Sequence, residues 1–272
     1  MRTLLLACVA SLALGMGYAL AADLPTKAQP PAAEPALAWD GFYVGGSVGM
    51  RISDADWNTT GIRAAPSAPD RVTATGHFGN ASVRGGLYAG FNIQRGFWVY
   101  GLEGDVGSAN NTERHLGIPG ATPLGGPAVI YDPSLDSTRI RLGWDASIRA
   151  RVGMLMMPTV LLYATGGAAF QDIKVSAICN PNGTAGFCVA THAEAVSTTR
   201  TGWTVGAGIE ALLGANWTGR LEYRFADFGT FNHTFFAATP ADQVIAGIKV
   251  NTHTVAVGLA YKFGEVPVIA RF

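Results

Sequence analysis

Apolar residues recur at every second position in eight segments of the chain. In residues 137–153, STRIRLGWDASIRARVG, apolar residues such as Trp144 and Ile148 alternate with arginine and aspartate. This period-two alternation predicts β-strands that have one apolar and one polar face. The eight predicted strands cover residues 39–49, 82–94, 97–107, 137–153, 158–173, 202–213, 216–225 and 252–263.

Short and long connections alternate strictly between these segments. Three connections contain only a few residues, and the other four cover residues 51–81, 108–137, 174–200 and 226–250. In an up-and-down barrel this alternation places all long loops at one end and both termini at the other. The pattern therefore predicts an all-β, eight-stranded, antiparallel up-and-down barrel.

The aromatic residues decide which face of the predicted sheet points outward. Eight strands leave an interior just wide enough for side chains, so the lumen cannot hold several tryptophans as well as the charged residues. The apolar face must then point outward into lipid, where only a closed sheet satisfies its backbone. The sequence thus predicts a transmembrane β-barrel with four long extracellular loops, with a soluble β-sandwich as the alternative. The predicted lipid-facing aromatics are Trp98, Tyr100, Trp144, Trp203, Trp217, Tyr223, Phe225, Tyr261 and Phe263, and Ile140, Leu142 and Ile148 are assigned to the same face.

The charged face of the strands is then the lining of the lumen. Buried charges persist only when they are paired, so we predict a lattice of salt bridges that ties the strands together and closes the lumen. Its predicted members are Arg84, Glu103, Asp105, Arg141, Asp145, Arg149, Arg151, Glu210, Arg220, Glu222 and Arg224.

The N-terminus has the pattern of a secretory signal peptide. Arg2 precedes an apolar stretch that ends in Ala-Leu-Ala, which predicts a signal peptide over residues 1–21, with a retained membrane anchor as the alternative. Residues 22–38 are a Pro/Ala-rich periplasmic linker, the barrel covers residues 39–263, and residues 264–272 form a C-terminal tail. No later apolar run reaches 18 residues, so no membrane-spanning helix is expected.

Composition and cysteine content agree with an exported protein. Charged residues make up 14% of the chain, against about 25% in soluble domains, and the formal net charge of zero argues against a nucleic-acid partner. After cleavage of the signal peptide the chain keeps Cys179 and Cys188. In an oxidising compartment they are expected to form a disulfide, with free thiols as the alternative.

Several motifs together resemble a known family. They are ADLP (22–25), WDGFYVGGSVG (39–49), LLYATGGAAF (161–170), GWTVGAGIEALL (202–213), LEYRFADFG (221–229) and VAVGLAYKF (255–263). In this order they resemble the small outer-membrane β-barrel proteins of Gram-negative bacteria, which are described as porin-family or outer-membrane-protein-A-like barrels. The resemblance implies an eight-stranded barrel in the cell outer membrane, in contact with outer-membrane lipids and lipopolysaccharide.

The same resemblance implies insertion by the outer-membrane assembly machinery. The family's insertion signal combines a glycine with outward hydrophobic residues and ends on an aromatic residue, and Gly258, Tyr261 and Phe263 match it. This chain departs from the pattern because it continues to Phe272, which is the alternative signal.

The sequence contains no recognisable catalytic, metal-binding or cofactor-binding pattern, so we expect neither an enzyme nor a bound cofactor. The expected function is that of a structural, surface-exposed protein that supports envelope integrity. A narrow porin for small solutes is one alternative. A receptor for a ligand or for adhesion, acting through the long loops, is another. Such a receptor could bind heme through loop histidines and Tyr131. The oligomeric state stays open.

Overall fold

The protein folds into one closed antiparallel barrel. The computed structural model describes residues 39–62, 74–119, 136–181, 188, 190–214 and 216–263, and the predicted signal peptide, linker and tail lie outside these ranges. The strands are β1 Gly41–Ile62, β2 Ala74–Arg95, β3 Trp98–Leu116, β4 Ser137–Met157, β5 Val160–Cys179, β6 His192–Leu212, β7 Trp217–Phe235 and β8 Val244–Phe263. Each strand pairs with its neighbours and β8 pairs with β1, which confirms the predicted eight-stranded up-and-down barrel. Within the ranges just given, no helix is long and apolar enough to cross a membrane.

Every strand is longer than the sequence pattern predicted. They contain 19 to 22 residues, whereas a tilted strand crosses a bilayer in about 9–11. Much of what was predicted as loop therefore continues the strands. For example, β1 extends to Ile62 and β6 already begins at His192. Half of the barrel thus stands beyond the membrane.

The two halves of the barrel have opposite polarity. On β1 the outward side chains are apolar up to Ile52, and the next ones are Asp54 and Asp56. The inward side chains change in the other sense, from the buried Arg51 to the buried Trp57. A wall that faces lipid needs an apolar outside, whereas a wall that faces water buries its apolar side chains within the barrel.

The half beyond the membrane has its own apolar core. Trp57 stacks on Phe235 with ring centroids 5.0 Å apart, and neither side chain is exposed. The Cys179–Cys188 disulfide, which confirms the predicted pairing, lies in the same core. The other members are Ala55, Ile62, Phe78, Ile118, Ile140, Leu142, Ala169, Ile173, Val175, Ala177, Ala226, Phe228, Phe231, Phe236, Val244, Ala246, Ile248 and Val250.

Two incomplete seams divide this outer half into two sheets. Within the described residues, β2 and β3 pair only below the Arg84–Ala109 level, and β6 and β7 only below Trp203–Asp227. Beyond those levels β7-β8-β1-β2 and β3-β4-β5-β6 form separate sheets that enclose the apolar core. Side chains close the second seam, where His233 lies 2.7 Å from the carboxylate of Glu194.

A β-bulge in β4 overturns part of the prediction for this strand. Between the pairs Leu142–Ile173 and Asp145–Gln171, β4 contributes one residue more than β5. The extra residue reverses the alternation, because side chains change face at every position of a strand. Leu142 and Ile140 therefore point inward and are buried, although the sequence assigned them to the lipid face.

The same bulge moves Arg141 out of the predicted lattice. Its side chain is exposed on the outer surface beyond the membrane, so its assignment to the lumen was wrong. The residues on the membrane side of the bulge keep the predicted orientation: Trp144 is outward, and Asp145 and Arg149 are inward.

The predicted lipid-facing aromatics lie on the outer surface of the barrel. Trp217 and Tyr261 contact each other near the periplasmic end, as do Tyr261 and Phe263. Trp203 packs edge-on against the half-buried Phe225 at 5.4 Å. The remaining predicted members of this surface, all exposed, are Trp98, Tyr100, Trp144 and Tyr223.

Candidate functional site

The membrane half of the lumen is filled by charged and tyrosine side chains. An apolar cluster closes it at the periplasmic end, where the buried Trp39 packs with Val99, Leu155, Leu161 and Tyr163. Trp39 is held in place because its indole nitrogen donates to the Pro158 carbonyl at 3.2 Å. At the other end lies the apolar core of the outer half. The charged network is therefore enclosed on both sides.

Glu103 on β3 is the centre of the inner layer. One of its oxygens accepts from Arg149 at 2.6 Å, and the other from Arg220 at 2.5 Å. Arg149 on β4 also reaches Glu222 on β7 at 2.8 Å. Because Arg149 and Glu103 are fully buried, these are charge-assisted bonds without competition from water. They connect strands on opposite walls of the barrel.

Tyrosines complete this layer. Tyr43 donates to Glu103 at 2.8 Å, and Tyr163 donates to Glu222 at 3.0 Å. Arg151 pairs with Glu210 and lies 3.9 Å from the centroid of the Tyr163 ring. The glutamates thus accept hydrogen bonds from tyrosine hydroxyls, while guanidinium groups stack on the tyrosine rings.

Glycines make room for these rings. A Cβ atom at Gly90 would collide with the hydroxyl of Tyr43, and one at Gly208 would lie 2.5 Å from the hydroxyl of Tyr163. A third ring, that of Tyr88, packs under Arg220 at 3.4 Å. The high glycine content of the strands therefore follows in part from the need to fit large side chains into a narrow lumen.

Two aspartates form the next layer outward. Asp105 bonds Arg84 and Arg224, both at 2.7 Å. Asp145 bonds Arg84 at 2.6 Å and Arg224 at 3.3 Å. Ser147 donates a further hydrogen bond to Asp105. The two carboxylates and two guanidinium groups thus form a closed ring of four ion pairs.

Arg51 forms the outer end of the network, and the sequence analysis missed it. It bonds Asp145 at 2.8 Å and the side-chain oxygens of Asn111 and Gln171 at 2.8 and 3.2 Å. It also donates to the carbonyls of Leu142 at 2.9 Å and of Gly143 at 3.0 Å, within the β4 bulge. The bulge frees these carbonyls from the regular backbone hydrogen bonds of the sheet, so they can accept hydrogen bonds from the fully buried guanidinium group of Arg51.

A void within the network is small. The void between Arg84, Asp105, Arg220, Glu222 and Arg224 has a volume of about 10 Å³, roughly the minimum that one water molecule requires. The network contains six arginines and five carboxylates, and each of these eleven side chains forms at least one ion pair with a partner of opposite sign. This arrangement joins strands to one another across the lumen.

The structure brings ten of the eleven predicted lattice residues into this network, and only Arg141 lies elsewhere. Arg51 was overlooked because it fell in a segment predicted as loop. Its signal was the odd-numbered inward alternation of β1, which continues from Tyr43 through Arg51. The charge pattern of the sequence could not identify the uncharged members of the network, which are Tyr43, Tyr88, Tyr163, Asn111 and Gln171.

The histidines considered as heme ligands have acidic or phenolic neighbours instead. His77 contacts Asp56, His115 contacts Glu113, His192 contacts Asp242, His233 contacts Glu194 and His253 contacts Tyr223. Tyr131 lies outside the described residues. Within the described part of the chain, no three His, Cys, Asp or Glu side chains are arranged to hold a metal ion.

Comparisons with known proteins agree with this architecture. The family model for the outer membrane protein beta-barrel domain matches residues 9–263. The 25 kDa outer-membrane immunogenic protein of Brucella abortus is 31% identical over 269 residues, which cover 97% of this chain and all of that protein. The 22 kDa outer membrane protein of Rhizobium leguminosarum bv. viciae is 32% identical over 203 residues, or 74% of this chain and 70% of that protein.

Among solved structures, the outer membrane protein OprG from Pseudomonas aeruginosa has a similar fold. It matches with a TM-score of 0.50 at 10% identity, over 82% of this chain and 96% of that one. The family match, the outer-membrane relatives and the closed barrel with an apolar outer band together show that this chain is an outer-membrane protein and belongs to the outer membrane protein beta-barrel domain family.

Proposed function

We propose that the protein is a structural component of the outer membrane that supports envelope integrity and does not conduct solutes. The observation that carries the proposal is the filled lumen, in which Glu103 is bonded to arginines from β4 and β7. A conducting pore would need a continuous water path past these side chains. The void beside them has room for about one water molecule.

The obstruction is also expensive to remove. Opening a path requires that several buried, charge-assisted bonds break together, and removing one partner of a single buried ion pair already costs about 3–5 kcal/mol. Trp39 would have to leave its site at the periplasmic end as well. These barriers favour a permanently closed barrel over a gated one. A closed barrel whose outer half has its own core suits a mechanical role between the lipid and the cell surface.

Planar-bilayer recording on the purified, folded protein tests the closed lumen. We expect no steady, discrete conductance from the wild type. Steady conductance steps whose ion selectivity changes in Arg149→Ala would show that ions pass through this lumen, and the narrow-porin alternative would replace the proposal. A known porin reconstituted in the same lipid provides the positive control.

A deletion strain tests the envelope role. Loss of the protein should raise detergent sensitivity and the release of outer-membrane vesicles, and the wild-type gene should restore both to normal. Should the envelope remain intact while binding of a ligand or of host cells is lost, the protein is a surface receptor rather than a structural component.

A further inference from the structure

The bulge that removes Arg141 from the lumen places it in a cluster of cations on the outer surface. Arg141 is the direct cross-strand partner of Lys174, and Arg139 is the partner of Arg114. All four side chains are exposed, and they lie on β3, β4 and β5 beyond the apolar band that faces the hydrocarbon. We call these four residues the basic patch.

The basic patch lacks partners of opposite charge within the described chain. None of its four cations forms an ion pair there, and the carboxylate that shares its face is that of Asp172, at the membrane edge of the patch. Like charges directly opposite each other on a sheet are unfavourable. The arrangement therefore costs the isolated protein stability, and an external anion would offset that cost.

The patch is specific to one of the two outer sheets. At the same level on the other sheet, the outward charged residues are Asp54, Asp56, Asp227 and Lys249. Lys249 is itself the cross-strand partner of Asp56. One sheet is therefore cationic and the other is net acidic, which a generally basic outer surface would not produce.

The patch also has a defined height above the bilayer. Trp144 and Phe170 are outward residues at the outer edge of the apolar band, and Arg141 and Lys174 follow them on the same two strands. The headgroup layer extends about 5–8 Å beyond the hydrocarbon, a distance that a few strand residues cover. Arg141 and Lys174 therefore lie at the outer edge of the headgroup layer, and Arg139 and Arg114 lie two strand positions farther from the bilayer.

We infer that the basic patch binds the phosphate groups of the phosphorylated glycolipid of the outer leaflet, lipopolysaccharide. Guanidinium groups bind phosphate with paired hydrogen bonds, and the ammonium of Lys174 adds a point charge. The occupant is a membrane lipid rather than a soluble polyanion because the patch adjoins the apolar band. A lipid bound there keeps its acyl chains against Trp144 and its phosphates against Arg141. This inference goes beyond the proposed function and holds whether or not the lumen conducts.

Binding of purified lipopolysaccharide to the folded full-length protein in detergent tests the inference. Each cation near an anionic surface contributes roughly a fivefold factor in affinity, so Arg141→Gln should weaken binding about fivefold. Neutralising all four patch residues should weaken it by about 600-fold if the four contributions are independent. The matched control is Lys249→Gln, which removes one exposed cation from the acidic sheet and should leave the affinity unchanged.

Two further ligands identify the recognised group. Lipopolysaccharide stripped of its phosphates should bind the wild type as weakly as the intact lipid binds the fourfold variant. Heparin, a soluble polyanion, should bind far more weakly than the lipid. The inference fails if the dephosphorylated lipid binds equally well, if heparin binds better than the lipid, or if Lys249→Gln causes the same loss as Arg141→Gln. The gel shift between unheated and boiled samples verifies that each variant is folded. If the fourfold variant does not fold, the comparison of Arg141→Gln with Lys249→Gln decides the outcome.

Discussion

Replacing Arg149 by methionine removes the most connected cation of the inner layer. The guanidinium group bonds Glu103 at 2.6 Å and Glu222 at 2.8 Å, and its side chain is fully buried. Glu103 keeps Arg220 and a tyrosine as partners, whereas Glu222 keeps the hydroxyl of Tyr163. The cost therefore falls mainly on Glu222. Removing one partner of a buried pair costs about 3–5 kcal/mol, and we expect Arg149→Met to lose stability in that range.

The same strand supplies a matched control. Arg141→Met makes the same chemical change on β4, at an exposed position beyond the membrane. Exposed substitutions without structural partners usually change stability by no more than about 0.5 kcal/mol. The measurement is equilibrium unfolding by urea in lipid vesicles, followed by tryptophan fluorescence and by the gel shift of the folded barrel. If Arg149→Met and Arg141→Met lose the same stability, the lumen network does not stabilise the barrel.

A double-mutant cycle isolates the pair itself. Glu222→Gln removes the carboxylate that Arg149→Met leaves without its arginine. Because the two substitutions remove the same bond, their combined cost should fall below the sum of the single costs by about 0.5–3 kcal/mol. Additive costs would show that Arg149 acts through Glu103 or through packing instead.

Three further predictions concern the half of the barrel beyond the membrane. Trp57→Ala should destabilise this half by about 3–5 kcal/mol, because a fully buried indole leaves a cavity, and hydrogen exchange should rise there while the membrane half stays protected. The hydrogen bond from His77 to Asp56 raises the pKa of His77 above 6.5. The stabilisation by this pair is thus present at low pH and is lost as the pH rises through the pKa of His77. An NMR titration of Asp56→Asn should show a lower pKa for His77 than in the wild type. Reducing the Cys179–Cys188 disulfide should cost about 2–3 kcal/mol on chain-entropy grounds, seen as a lower urea midpoint.

The membrane half of the barrel could be predicted because lipid imposes a simple rule on it. Lipid requires an apolar outside and a narrow lumen requires paired charges, so alternation and charge together place residues such as Arg149 and Glu222. The identity of each pair could not be predicted in this way. The bond between these two residues joins β4 to β7 across the lumen, and no pattern within a single strand encodes such a contact.

The β4 bulge was beyond sequence reasoning for a different reason. An isolated glycine within a strand can indicate a bulge, and Gly143 occupies this position. The chain contains 35 glycines, however, and most of those in its strands create no bulge, so this signal has little value on its own. The deciding factor is Arg51, whose guanidinium binds the carbonyls that the bulge releases. The wrong assignment of Arg141 thus follows from the bulge that Arg51 stabilises, whereas Arg51 itself was overlooked because it fell in a segment predicted as loop.

The sequence of the outer half does indicate that its apolar side chains face the inside of the barrel, the reverse of the membrane half. In β5 the apolar positions Ile173 and Val175 alternate with charged and polar residues, as they would in a soluble protein whose core lies inside the barrel. This reversal matters for any test of the receptor alternative by loop deletion. Removing residues 51–81, which the sequence suggested as a loop, would also remove Arg51 and Trp57 and so damage both the network and the outer core. A deletion confined to the segment between the end of β1 and the start of β2 preserves both, and only such a variant can separate loss of a binding surface from loss of the fold.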